Sequence, residues 1–166
     1  MLFLNFFSSA LTTIVFGAIL VQAQDLAAGR YRIFNGDRSA RSFPIEQPEF
    51  DAPITMSNQF ADVFEQWNVT PDGNGAYLIQ NVGGSARAFA DPTLNTEVHA
   101  ILEKQTSWLI ENKGSNAPGE VGSFAIKIPF QDLLWTITPG NGGDDTITLE
   151  GSDGSAVQRF VFQPVA

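Results

Sequence analysis

Gln66-Trp67-Asn68-Val69-Thr70-Pro71-Asp72-Gly73-Asn74-Gly75-Ala76-Tyr77-Leu78-Ile79-Gln80-Asn81 is the stretch that decides the fold. Two alternating segments, Trp67/Val69 and Tyr77/Ile79, flank a Pro-Asp-Gly-Asn-Gly connection. Alternation at period two places every second side chain on one face of a strand, and that turn chemistry reverses the chain. The second half of the stretch recurs. Gly29-Arg-Tyr31-Arg-Ile33-Phe-Asn35 matches Gly75-Ala-Tyr77-Leu-Ile79-Gln-Asn81, and Gly122-Ser-Phe124-Ala-Ile126-Lys127 is a third copy. The three aromatics stand about 46–47 residues apart. The first half recurs as well, as Thr106-Ser-Trp108-Leu-Ile110 and Gln158-Arg-Phe160-Val-Phe162.

Working outward, Ser39-Ala-Arg41-Ser-Phe43 matches Ser85-Ala-Arg87-Ala-Phe89, and the same step from Phe89 reaches Trp135. This alignment makes Trp135 the counterpart of Phe43 and Phe89. Turns at Asn35-Gly36-Asp37, Val82-Gly83-Gly84, Pro139–Gly143 and Gly151–Gly154 separate further short strands, and no stretch carries a helical period. Four strands in each of three repeats (roughly 29–74, 75–121 and 122–166) give twelve. The expectation is an all-β chain with pseudo-threefold symmetry, a β-trefoil over residues 24–166, with Trp67, Trp108 and Phe160 packed near the axis. A β-sandwich would leave the triple repeat unexplained.

Composition narrows function. The 166 residues include no Cys and a single His, so a disulfide scaffold, a thiolate zinc site and a thiol nucleophile are excluded. Eighteen acidic against nine basic residues give a net charge of −9, which opposes capture of nucleic acid. Met1–Ala23 holds no charged side chain, has an apolar run Leu11–Leu20 and ends Val21-Gln22-Ala23. It reads as a secretory signal peptide cut before Gln24, giving an extracellular protein with no membrane span in the remainder. An uncleaved anchor is the alternative for this segment.

The G-x-Y-x-I-x-N openings and near Q-x-W endings resemble ricin-B-type β-trefoils. The junction Gln66-Trp67-Asn68-Val69-Thr70-Pro71 through Gly73, Gly75, Tyr77, Ile79 and Asn81 most resembles the small fungal β-trefoil serine-protease inhibitors, peptidase inhibitor family sixty-six. That resemblance implies a monomeric serine-protease inhibitor, no enzyme itself, with no metal or cofactor. Its reactive loop would lie between the last two strands, here Leu149, Glu150, Gly151, Ser152, Asp153, Gly154, Ser155, Ala156 and Val157. Leu149 or Ala156 would suit an elastase-like or subtilisin-like pocket, and the Gly-rich loop is expected to be flexible. Trypsin-like specificity would instead need Lys113, in the long connector Glu111–Val121, or Arg38 in the first hairpin, with Arg41 and Arg87 as further surface cations. A ricin-B-like lectin is the alternative. It would bind glycan through Asp37, Asp91, Asn95, Asp132 and an aromatic such as Trp135. The clustered acids Asp144, Asp145, Glu150 and Asp153 read as solvated turn tips, the segment Asn141–Asp145 lacks a recognised calcium-ligand spacing, and His99 reads as a rim residue. Asn68-Val69-Thr70 is a glycosylation sequon whose Asn faces away from Trp67.

Overall fold

The computed structural model describes residues 26–44, 51–115, 122–140 and 144–166. The expected signal peptide lies outside them. The strands are β1 (Gly29–Asn35), β2 (Arg38–Arg41), β3 (Ala52–Pro53), β4 (Thr55–Ser57), β5 (Gln66–Pro71), β6 (Tyr77–Asn81), β7 (Arg87–Asp91), β8 (Asn95–Ile101), β9 (Leu109–Gly114), β10 (Ser123–Lys127), β11 (Leu133–Thr138), β12 (Asp145–Gly151) and β13 (Val161–Pro164). Short 3-10 turns precede two of the closing strands, at Asp62–Glu65 and Ala156–Gln158. β3 and β4 are one strand interrupted at Ile54. There the Ile54 N–H donates to the Val98 carbonyl and the Ile147 N–H donates to the Ile54 carbonyl, at 2.9 and 3.1 Å. Among the described residues twelve strands therefore remain, as the repeats require.

Six of them close a barrel in the order β1, β5, β6, β9, β10, β13 and back to β1. The opening aromatic of each repeat pairs with its closing aromatic: Tyr31 with Trp67, Tyr77 with Trp108, Phe124 with Phe160. Trp67, Trp108 and Phe160 are fully buried, and burying such rings supplies the largest single apolar contributions to the core. The remaining strands form three hairpins, β2 with β3/β4, β7 with β8, and β11 with β12, which meet one another around Ile54, Val98 and Ile147. This is a β-trefoil.

The register corrects one expectation. Phe34 pairs with Ser39, Gln80 with Arg87 and Lys127 with Leu134. Ala40, Ala88 and Trp135 are thus equivalent, and the second Ser-Ala-Arg copy is offset by two residues. The longer turn around Gly83-Gly84 absorbs the offset, and an even slip keeps side chains on the same face. Trp135 replaces alanine, not phenylalanine. Packing accounts for it. The Trp67 and Trp108 indole N–H groups donate to the Ala40 and Ala88 carbonyls at 2.9 and 3.3 Å, so each large ring sits against a small residue. In the third repeat Phe160 is the smaller closing ring, and Trp135 fills the space edge-on, 6.0 Å from Phe160 and 5.4 Å from Trp108.

The Asn of the opening motif has a structural task too. Asn35 donates to the Ala156 and Arg159 carbonyls, and Asn81 to the Phe64 carbonyl, holding the two 3-10 turns. The third repeat has Ile128 at that position, and the equivalent connection, Leu102–Ser107, has no 3-10 turn.

Candidate functional site

In the hairpin of β7 and β8, Ala88, Ala90, Val98 and Ala100 point inward, leaving Phe89, Glu97 and His99 on the outer face. Phe89 lies directly opposite His99. The equivalent pairs in the other hairpins are Arg41 with Thr55 and Thr136 with Thr148, so only the second repeat carries an aromatic there. The imidazole Nδ1 is 3.3 Å from Asp51 Oδ2. Its Nε2 is 3.3 Å from Glu97 Oε2 and 3.4 Å from Asn95 Nδ2. Asp51 reaches this face because the next residues pair with β8, Pro53 opposite His99. Lys104 Nζ stands 5.3 Å from the Phe89 ring centroid. At the hairpin tip Asp91 pairs with Asn95, and Asp91 Oδ1 accepts the Thr93 hydroxyl and N–H. Those bonds, aided by Lys104, hold the Asp91 carboxyl below its ordinary range. One face thus combines a ring, two carboxylates, an amide and an imidazole. That set can stack on the apolar side of a sugar and bond its hydroxyls.

Of the residues the sequence offered for a lectin, the structure brings together only Asp91 and Asn95. Asp37 and Asp132 lie in separate hairpin turns, after β1 and before β11. Trp135 is 0% exposed and cannot stack on a ligand. Sequence reading missed Phe89, Glu97 and Asp51 as partners of His99. Outward alternation in β7 and β8 was the available signal, and the two-residue misalignment hid it. A shallow trough of about 400 Å³ lies on the barrel exterior, lined by Phe34, Gly36, Val161, Phe162, Gln163 and Pro164.

The β12–β13 connection departs from the expected flexible loop. Gln158 is buried and braces it from beneath. Its Nε2 donates to Gly151 O at 2.8 Å and Thr136 Oγ1 at 3.0 Å, and its Oε1 accepts the Asp153 N–H at 3.1 Å. Asp153 Oδ1 accepts the Ser155 N–H at 2.8 Å, and hydrogen bonds from Ser155 lower the Asp153 pKa. Leu149 is buried in β12, Glu150 and Gly151 are still paired with Leu134 and Leu133, and Ala156 and Val157 are in the 3-10 turn. Ser152, Asp153 and Gly154 are the exposed tip, with Ser155 half-buried behind them.

The basic alternatives are engaged. Arg38 and Arg41 lie on β2 and form ion pairs with Asp145 and Asp144, which also assigns those two acids a structural role. Lys113 lies on β9 and pairs with Glu111 at 2.7 Å. Glu111 also takes Lys127 at 2.5 Å, and the two lysines lower its pKa. Arg87 is half-buried on β7, opposite Gln80. Asn116 to Val121, in the connector beyond Lys113, and Asn141 to Gly143 lie outside the described residues. Among the described residues no group of three His or acidic side chains is placed to hold a metal. Asn68 sits mid-strand in β5 between Arg30 and Gln80, half-buried on the side opposite Trp67, and Thr70 is exposed.

No family model matches this sequence, and no curated protein does. Solved structures do. A mosquitocidal holotoxin superposes with a TM-score of 0.68 at 14% identity over 86% of this chain, which spans only 18% of the toxin's length. The Rhizoctonia solani agglutinin gives 0.66 at 16% identity, covering 85% of this chain and 98% of that one. The Macrolepiota procera ricin B-like lectin, solved with lactose, gives 0.63 at 14% identity, covering 86% and 100%. At these identities the likeness establishes the shared β-trefoil fold.

Proposed function

We propose that this chain is a secreted, non-enzymatic carbohydrate-binding protein of the ricin-B-like kind, with one sugar site on the outer face of β7 and β8. The observation that carries this reading is the juxtaposition of Phe89 with His99, which is itself set between Asp51 and Glu97 beside Asn95. A pyranose ring laid on Phe89 would place its hydroxyls against Asp51, Asn95 and Glu97. Neither of the equivalent hairpins has a ring at the Phe89 position, where Arg41 and Thr136 stand, so this reading gives one such site per chain. The lectin neighbours support the reading through their shared scaffold. Screening the purified protein on a glycan array and titrating the best hit, with lactose in the panel, tests it. Phe89→Ala should weaken the hit by on the order of tenfold, the worth of one aromatic contact. An empty array, or a hit indifferent to Phe89→Ala and Asn95→Ala alike, overturns it.

A second reading, serine-protease inhibition, draws on one observation. The tip Ser152-Asp153-Gly154 is exposed yet held by Gln158, and pre-ordering a loop is what a docking inhibitor needs. Titration of trypsin, chymotrypsin, elastase and subtilisin decides it. Stoichiometric loss of one activity supports this reading, and full residual activity of all four removes it.

A further inference from the structure

We infer that Asn74 is a site of spontaneous deamidation in the folded protein, and that the fold protects the same dipeptide at Asn35. Among the described residues the Asn-Gly pairs are Asn35-Gly36 and Asn74-Gly75. In an Asn-Gly pair the glycine backbone nitrogen, losing its proton to water, attacks the asparagine side-chain carbon. A new C–N bond closes a five-membered succinimide, the carbon–Nδ2 bond breaks, and ammonia leaves with a proton. Water then opens the ring at either carbonyl, giving aspartate or isoaspartate. The balance is amide plus water to carboxylate plus ammonium, and no other reactant is needed.

The geometry separates the two pairs. Both glycines are exposed with nothing within 4 Å of an added Cβ, so the difference lies in the asparagines: Asn74 is exposed in the connection between β5 and β6, whereas Asn35 is half-buried. The Asn74 carboxamide has no hydrogen-bond partner among the described residues. Only its backbone N–H is engaged, donating to Asp72 Oδ1 at 2.9 Å. Its side-chain carbon can therefore turn toward the Gly75 nitrogen freely. Asn35 is held. Its Nδ2 donates to the Ala156 and Arg159 carbonyls, both at 2.7 Å, and cyclisation must break both bonds. The product would then set a carboxylate against two carbonyl oxygens, where the amide had been the donor. At residue 74 the product costs little. Asp72 Oδ1 still accepts the Ala76 N–H at 3.2 Å, and the new charge is solvated.

The test is peptide mapping by mass spectrometry, with an isoaspartyl methyltransferase assay, on purified protein incubated in mildly alkaline buffer with and without denaturant. In the folded protein the peptide holding Asn74 should convert before the one holding Asn35, which should be slower by on the order of tenfold or more, as loss of two hydrogen bonds implies. In denaturant the two rates should converge. The aged protein should be more acidic, with an unchanged melting temperature, and Asn74→Gln should abolish conversion in that peptide, the peptide holding Asn141-Gly142 being followed separately. Equal rates in the folded protein overturn the inference. So does an Asn74 that converts only when unfolded, or a gap that persists in denaturant, since the fold would then not be its cause.

Discussion

The hairpins of the second and third repeats occupy equivalent places and differ in where their aromatic points. In the second, Ala88 faces the core and Phe89 faces out. In the third, Trp135 faces the core and the outer position is Thr136, covered by the β12–β13 connection through Gln158. The residue two before each closing aromatic decides the covering. Gln158 is long enough to reach Thr136, whereas the Thr106 side chain reaches only the Ala90 backbone, through its hydroxyl, and leaves Phe89 half-exposed. One scaffold thus gives a closed hairpin, whose outer Thr136 is bonded by Gln158, and an open one whose polar groups surround a ring. The lesson is that polar residues alone do not mark a binding face. Their partners do.

The largest effect expected from breaking this contrast is at Trp135. Trp135→Ala should cost about 3–5 kcal/mol, because it empties a fully buried site between Trp108 and Phe160. Urea unfolding would measure it, and a loss below about 1 kcal/mol would mean the core closes over the gap. Gln158→Ala comes next, at about 2 kcal/mol, since it leaves Gly151 O and Thr136 Oγ1 without their donor and frees the loop tip. Faster hydrogen exchange at the Asp153 amide should accompany it. An unchanged exchange rate would mean the loop is ordered without the brace. Phe89→Ala should move stability by less than about 1 kcal/mol, because the ring is half-exposed, while it removes sugar binding. A large stability loss there would make Phe89 a structural residue and the two hairpins alike.

The repeat and its strands were legible in sequence because the aromatic anchors are long-range partners of one another: Tyr31 with Trp67, Tyr77 with Trp108 and Phe124 with Phe160. A motif that encodes its own pairing can be read without coordinates. The site was less legible. Matching Phe89 to Trp135 by residue type put a surface ring and a core ring in one column. Only the register, set by the longer Gly83-Gly84 turn, separates them. Arg38 and Arg41 looked like free surface cations, since their partners Asp145 and Asp144 lie more than a hundred residues away. Asp51 joins His99 for a similar reason: β3 pairs with β8 across repeats. Contacts between repeats carry no local signal.

The smallest effect tests the two hairpins through one shared device. Asp91 at the tip of the open hairpin accepts the hydroxyl and N–H of Thr93, and Asp153 beside the closed one accepts the N–H of Ser155, in each case the residue two positions on. Both carboxyls are lowered from the ordinary 3.8. A depressed folded-state value means the stabilisation is present above the unfolded value and is lost as pH falls through the folded one. The Thr93 and Ser155 amide resonances should therefore titrate with midpoints below 3.8. Salt should distinguish them. Lys104 contributes to the Asp91 shift and no cation contributes to that of Asp153. Added salt screens an exposed charge pair and leaves a hydrogen bond in place. The Asp91 midpoint should rise with ionic strength while that of Asp153 stays fixed. Equal movement of both would show that Lys104 is not held near the open hairpin in solution, leaving the Phe89 ring uncovered for a ligand without displacement of its cation.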